Sequence, residues 1–180
     1  MRTSARVWLA TAGLISLAAA AGDPAINLAS SSIVATFRQE NVPVDAAFKG
    51  FSGRVDYDPA HPAASRAIMQ VTTASLDLGS ADYDSEVRKH DWLDSSAYPV
   101  ASFVSSAVSA GAGGHFTTTG TLTLKGRTQT LTVPVTMSRA DTAAVFDGTL
   151  EISRRYFGIG SPDWNGVLDD KVRVKFHLVE

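Results

Sequence analysis

The 180-residue chain contains no cysteine. That absence excludes a disulfide framework, a thiolate metal site and the lipidated cysteine that tethers some exported bacterial proteins. The chain is also short of net charge: 16 basic and 18 acidic residues leave a formal charge of -2, with no basic stripe of the kind a nucleic-acid partner favours. Long hydrophobic runs are scarce. The apolar stretch Val7 to Leu17 falls below the ~20 residues a membrane-spanning helix needs. With Arg2 and Arg6 before it and small residues Ala18 to Ala21 after it, the stretch reads as an export signal over residues 1–21. Residues 22–180 are then expected to form one domain, delivered to the periplasm without a lipid anchor.

What the sequence does have is period-two alternation, which puts every second side chain of a strand on the same face. Val172, Val174, Phe176 and Leu178 oppose Lys171, Arg173, Lys175 and His177, and the same rhythm runs through Ile33–Phe37, Phe51–Tyr57 and Ala101–Ala107. It continues through Phe116–Leu124 and Leu131–Met137, joined as a hairpin by Lys125, Gly126 and Arg127, and through Phe146–Ile152. A further candidate from Ser65 to Leu78 has two registers open to it. Pro43 and Pro99 mark boundaries, while Pro134, inside a strand, calls for an edge, a bulge or a strand end. The spacing predicts a helix over Asp82 to Trp92. About eight antiparallel strands, each with one apolar face, must stack as two sheets or curl until those faces meet, and an eight-stranded barrel is the size that holds either packed side chains or one small ligand.

Small residues share the apolar stripes with large ones: Ala35, Gly53, Ala101, Gly120 and Gly148 stand beside Phe37, Phe51, Phe103, Phe116 and Phe146. They either leave room inside the barrel, or relieve bends in curved strands or allow close approach to the backbone, and both readings stay open. A cavity with such walls would take a long apolar guest, with a polar head near Arg154, Arg155, Asp163, Trp164 and Asn165.

Signs of chemistry are weak. His61, His90, His115 and His177 are scattered, which gives a metal site little support. Glu86 and His90 stand four apart on the expected helix and read most simply as an ion pair or as solvated side chains. No serine sits in a Gly-x-Ser-x-Gly elbow, and Gly111 to Gly114 lacks the lysine and hydroxyl residue of a phosphate-binding loop.

Several blocks, taken in order, resemble a known family. They are Phe48–Gly53 followed by Val55–Asp58, then Ser75–Gly79, Trp92–Asp94 with Tyr98, Pro99 and Phe103, the Gly120–Gly126 hairpin, and Arg154 through Phe157, Gly158 and Ile159. Together they resemble the YceI-like family of exported bacterial proteins. The resemblance implies an all-β, eight-stranded antiparallel lipocalin-like β-barrel with one short helix, which binds polyisoprenoids and is not an enzyme. The segment from Gly158 to Trp164 and then Asp169 to Val172 looks like the branch found beside diheme b-type membrane cytochromes. Arg155 and Tyr156 before Phe157, and Val87–Trp92 in place of the usual Arg-Asp-x-His-Leu order, depart from the family pattern.

The residues alone imply a long apolar guest; the resemblance makes the expectation a periplasmic carrier holding an isoprenoid lipid, of quinone or polyprenyl type, with no cofactor and no metal. The residues expected to wall the cavity or its mouth are Phe37, Phe51, Val55, Trp92, Phe103, Leu122, Phe146, Arg154, Phe157, Trp164 and Phe176. Two alternatives remain: a filled-barrel scaffold that contacts a cytochrome b-type membrane protein, and an enzyme acting on an enclosed lipid.

Overall fold

The computed structural model describes residues 25–180; the expected export signal, residues 1–21, lies outside the described residues. The chain forms strands β1 (Ser32–Gln39), β2 (Val42–Phe48), β3 (Phe51–Asp56), β4 (Arg66–Thr72) and β5 (Leu76–Asp77), then helix α1 (Ala81–Val87). It continues with β6 (Val100–Ala110), β7 (His115–Leu124), β8 (Arg127–Ala140), β9 (Ala143–Ser153) and β10 (Lys171–Val179). All ten strands belong to one antiparallel sheet in the order β3-β4-β6-β7-β8-β9-β10-β1-β2-β5. The sheet curls round a single interior, as the alternation requires: its apolar face has nothing else to bury against.

The strands number ten, against the eight expected, for two local reasons. Val42–Phe48 is a strand although Pro43 lies within it, because beyond its contact with β5 at Ala47 and Phe48 the side of β2 away from β1 carries no ladder. A missing N–H costs no sheet bond on such a side. The Ser65–Leu78 stretch, meanwhile, is broken by a 3-10 turn at Thr73–Ser75 into β4 and the short β5. The helix is also shorter than expected: it ends at Val87, and the chain folds back so that the Leu93 N–H donates to the Val87 carbonyl.

The hairpin between β7 and β8 turns on Lys125 and Gly126, both at positive φ (47° and 72°), as a tight two-residue hairpin loop requires. Pro134 sits one residue beyond the last β8–β9 pair, Val135 with Gly148, so the ladder ends where the proline would break it. A bulge between Ser105 and Ala107 shifts β6 by one residue, so Val108 is buried and Ala107, expected inside, is exposed.

Along β3, at one end of the sheet order, groups from the chain ends lace the wall. The Ile26 N–H donates to the Gly53 carbonyl and the Asn27 N–H to Val179, while the Glu180 carboxylate accepts the Val55 N–H at 2.5 Å. The buried core divides in two. One cluster, including Ile26, Val55, Phe116, Val135 and Phe146, fills the end where β7 starts; the other, including Leu76, Leu93, Leu124, Ile152 and Phe157, lies at the end where β7 finishes.

At this second end a buried guanidinium organises the connection from β9 to β10. Arg154, 3% exposed, donates to the carbonyls of Ile159 (3.0 Å), Leu168 (2.9 Å), Asp169 (3.0 Å) and Trp164 (3.3 Å) and to the Asn165 side-chain oxygen (3.1 Å). The next residue is fixed by Asp170, whose carboxylate accepts from the Arg155 N–H and Nε (both 3.0 Å) and from the Ser153 hydroxyl. Burial alone would raise the Asp170 pKa, but the hydrogen bonds from Arg155 and Ser153 prevail and hold it at about 2. A carboxyl depressed in the fold adds stability above its ordinary pKa of 3.8, and that contribution is lost as the pH falls through about 2. Asp170→Asn should therefore cost about 1–2 kcal/mol at neutral pH, with the penalty shrinking between pH 4 and pH 2. Urea unfolding of both proteins across that range measures the difference; a penalty that persists at pH 2 would show that the charge is not its source.

Candidate functional site

Between the two core clusters the barrel is hollow. A cavity of about 540 Å³ runs through the interior, within the 300–1,000 Å³ usual for small-ligand sites. Its wall is hydrocarbon and aromatic over most of its length, drawn from Ile33 and Ala35 on β1, Met69 and Val71 on β4, Phe103 on β6, Leu122 on β7, and Val174 and Phe176 on β10. A dry cavity of about 150 Å³ is enough to take up benzene, so this one has room for a considerably longer hydrocarbon.

The glycines of the apolar stripes explain how Phe and Met side chains coexist with that space. Gly53 stands opposite Met69 in the β3–β4 register, and Gly148 opposite Phe176 in the β9–β10 register. A Cβ at Gly148 would collide with the Phe176 ring, and one at Gly120 would collide with Phe103. Each large side chain thus lies down on a bare stretch of neighbouring backbone instead of standing into the lumen. At Gly53, Gly120 and Gly148 the outcome is close approach of a side chain to bare backbone, and the open space of the lumen lies beside those side chains rather than at the glycines themselves.

The two ends of the cavity differ. At the floor, Tyr57 stacks on Phe116 (4.2 Å between centroids, 15° between planes) and Phe146 meets both rings edge-on. The mouth is framed by α1, the segment after it and the β9–β10 connection. There Trp92 and Trp164 pack edge to face at 5.2 Å, with Phe37, Leu78, Val87 and Ile159 around them and the side chains of Gln39, Tyr83 and Glu86 also in the wall. Lys125, whose pKa is lowered by burial, donates to the carbonyls of His90 and Gly158 (2.7 Å each) and so ties the two rim segments together. The segments forming this rim carry more acid than base. Glu40, Asp82, Asp84, Glu86, Asp91, Asp94, Asp163, Asp169 and Asp170 outnumber Arg38, Arg88, Lys89, Lys125, Arg154 and Arg155.

Nine of the eleven expected wall and mouth residues line the cavity: Phe37, Val55, Trp92, Phe103, Leu122, Phe146, Arg154, Trp164 and Phe176. Phe51 and Phe157 do not. Phe51 packs in the floor-end cluster, and Phe157, 1% exposed, is the side chain on which the mouth-end cluster closes. Arg154 contributes to the wall, but its N–H groups are turned to the five acceptors of its own chain. The histidines form no metal site: among the described residues no group of three His, Cys, Asp or Glu side chains is placed to hold an ion. Glu86 pairs with Lys89, and His90 pairs instead with Asp94 (2.9 Å).

The sequence reading missed Met69 and Val71, because the two registers of the Ser65–Leu78 stretch put different residues inside. It also missed Thr118, which lines the floor end among apolar neighbours and whose hydroxyl has no hydrogen-bond partner. The alternation had placed Thr118 on the apolar face beside Phe116 and Gly120, so the signal was there. Tyr83 and Glu86 on α1 carried no such signal, since a single short helix does not reveal which way it faces.

Comparison with known proteins bears on the whole domain. A UPF0312 protein of Vibrio cholerae is 30% identical over 97% of both chains. The crystal structure of Burkholderia cenocepacia BcnA is 43% identical, superposes with a TM-score of 0.83, and covers 86% of this chain and 99% of its own. A polyisoprenoid binding domain from Saccharophagus degradans, at 16% identity, shares the fold with a TM-score of 0.70 over 86% of this chain and 95% of its own. The family model described as the YceI-like domain matches residues 25–179, and with the whole described barrel inside that match the chain belongs to the YceI-like family.

Proposed function

We propose that the protein is a periplasmic carrier that holds one isoprenoid chain inside its barrel and performs no chemical step on it. The observation that carries this reading is the cavity: about 540 Å³ of space with a hydrocarbon wall, an aromatic floor and a mouth where polar side chains gather. Each buried methylene contributes roughly 0.8 kcal/mol, so about ten enclosed carbons contribute ~8 kcal/mol before the cost of ordering a flexible chain is taken off. The polyisoprenoid binding domain with the same fold supports the choice of an isoprenoid among long apolar guests.

The filled-scaffold reading needs Phe37, Phe103, Phe146 and Phe176 to interlock. Instead they border open space. The decisive experiment is organic extraction and mass spectrometry of protein purified from its own periplasm. A stoichiometric isoprenoid is the expected result; a protein that comes out empty and then ignores added polyprenols would end the carrier reading.

Two further outcomes follow from the wall and the mouth. Gly148→Leu drives the Phe176 ring into the lumen, so the longest prenol bound should shorten and affinity for long prenols should fall about tenfold, at an overpacking cost of roughly 1–3 kcal/mol in stability. Titration with prenols of increasing length, alongside thermal melts, separates the two effects. Once residues 1–21 are removed, Trp92 and Trp164 are the only tryptophans left, and both frame the mouth. Their emission should change on filling, while Trp164→Phe should bind prenol with a smaller signal.

A further inference from the structure

We propose that the mouth selects isoprenoids whose head group is uncharged, such as an alcohol, a phenol or a ring carbonyl, and turns away prenyl phosphates. This inference rests on the carrier reading above and adds the class of head group.

Capturing a phosphate in a low-dielectric site takes cations or N–H groups free to face it, because a buried anion without partners is costly. No cation that lines the mouth is spare. The cation in its wall, Arg154, is buried, and its donors already serve four carbonyls and Asn165. Turning them to a ligand would undo the β9–β10 connection that shapes the mouth. Of the rim cations, Arg38 faces Asp169 and donates to the Asn41 carbonyl, Lys89 pairs with Glu86, Arg155 pairs with Asp170, and Lys125 donates to the His90 and Gly158 carbonyls. Arg88 lies outside the cavity wall.

A carboxylate, by contrast, is in the wall. Glu86 lines the mouth, and hydrogen bonding from Lys89 keeps its pKa below the ordinary value, so it is ionised at neutral pH. A phosphate drawn in behind its prenyl tail would shed water against the Glu86–Lys89 pair, whose ammonium is already engaged, inside a rim with more acidic than basic residues. Groups suited to a neutral head are present and unengaged: the Gln39 side-chain amide and the Tyr83 hydroxyl line the same mouth, and neither makes a side-chain hydrogen bond within the described chain. Between them they can donate to a carbonyl oxygen or accept from a hydroxyl.

The test compares geranylgeraniol with geranylgeranyl monophosphate, which share one tail, against the lipid-free processed protein by calorimetry and tryptophan emission at low salt. The alcohol should bind at least about tenfold more tightly, the scale expected when a charge is buried without a partner. The gap should narrow at high salt, which screens the acidic rim. Glu86→Lys, checked for folding by circular dichroism, should move the ratio towards the phosphate. Equal or tighter binding of the phosphate by the unmodified protein would overturn the inference while leaving the carrier reading in place. Binding of neither compound would overturn the carrier reading, and this inference with it.

Discussion

The interior of this barrel offers backbone groups no water, so the wall has to satisfy its own hydrogen bonds before any question of contents arises. Nine ladders running between ten strands do so for most of the wall. Ile26 and the Glu180 carboxylate do so where β3 lacks a neighbour. Because the wall is held from within its own plane, it does not depend on side chains meeting at the centre. A helical bundle of this size has no such independence, since its elements are held together chiefly by the core they share. The hollow is thus a property of the sheet: the ladder frees the inner side chains from structural duty along the middle of the barrel, and they pack tightly only in the two end clusters.

The lining atoms of an unfilled space lack dispersion partners on one side, and a hydrocarbon guest restores them. Filling and stabilisation are therefore the same event. The mouth is built differently. It hangs on one guanidinium, Arg154, whose hydrogen bonds run from Ile159 to Asp169 and convert a loop with little regular structure into a fixed rim. The cations at the mouth of the barrel are engaged in its architecture, leaving an aromatic pair, a few neutral groups and the Glu86 carboxylate along the path of entry.

Much of this was legible in the chain because period-two alternation has one physical meaning. The inner faces of β1, β3, β7, β9 and β10 follow it residue by residue. It failed where a local event changed the count: the bulge after Ser105 leaves no mark in a run of serine, alanine and valine, and the 3-10 turn at Thr73–Ser75 falls inside a sequence that reads as continuous strand. It was blind in another way at Phe51. Alternation says which side chains are inside, but whether an inner side chain meets empty space or a neighbour depends on residues far away in sequence. The same holds for Arg154, whose position was plain while its acceptors, spread over residues 159 to 169, were not.

The pairing of bare backbone with bulky side chain across the sheet has a consequence for how such a protein changes over generations. Lumen size is set at positions such as Gly148 and Phe176, neighbours in register but distant in sequence, and these are separate from the residues that define the rim. One added methyl group, or one ring exchanged for a smaller side chain, would alter the length of chain admitted without altering what the entrance recognises. A descendant could inherit the doorway and remodel the room behind it.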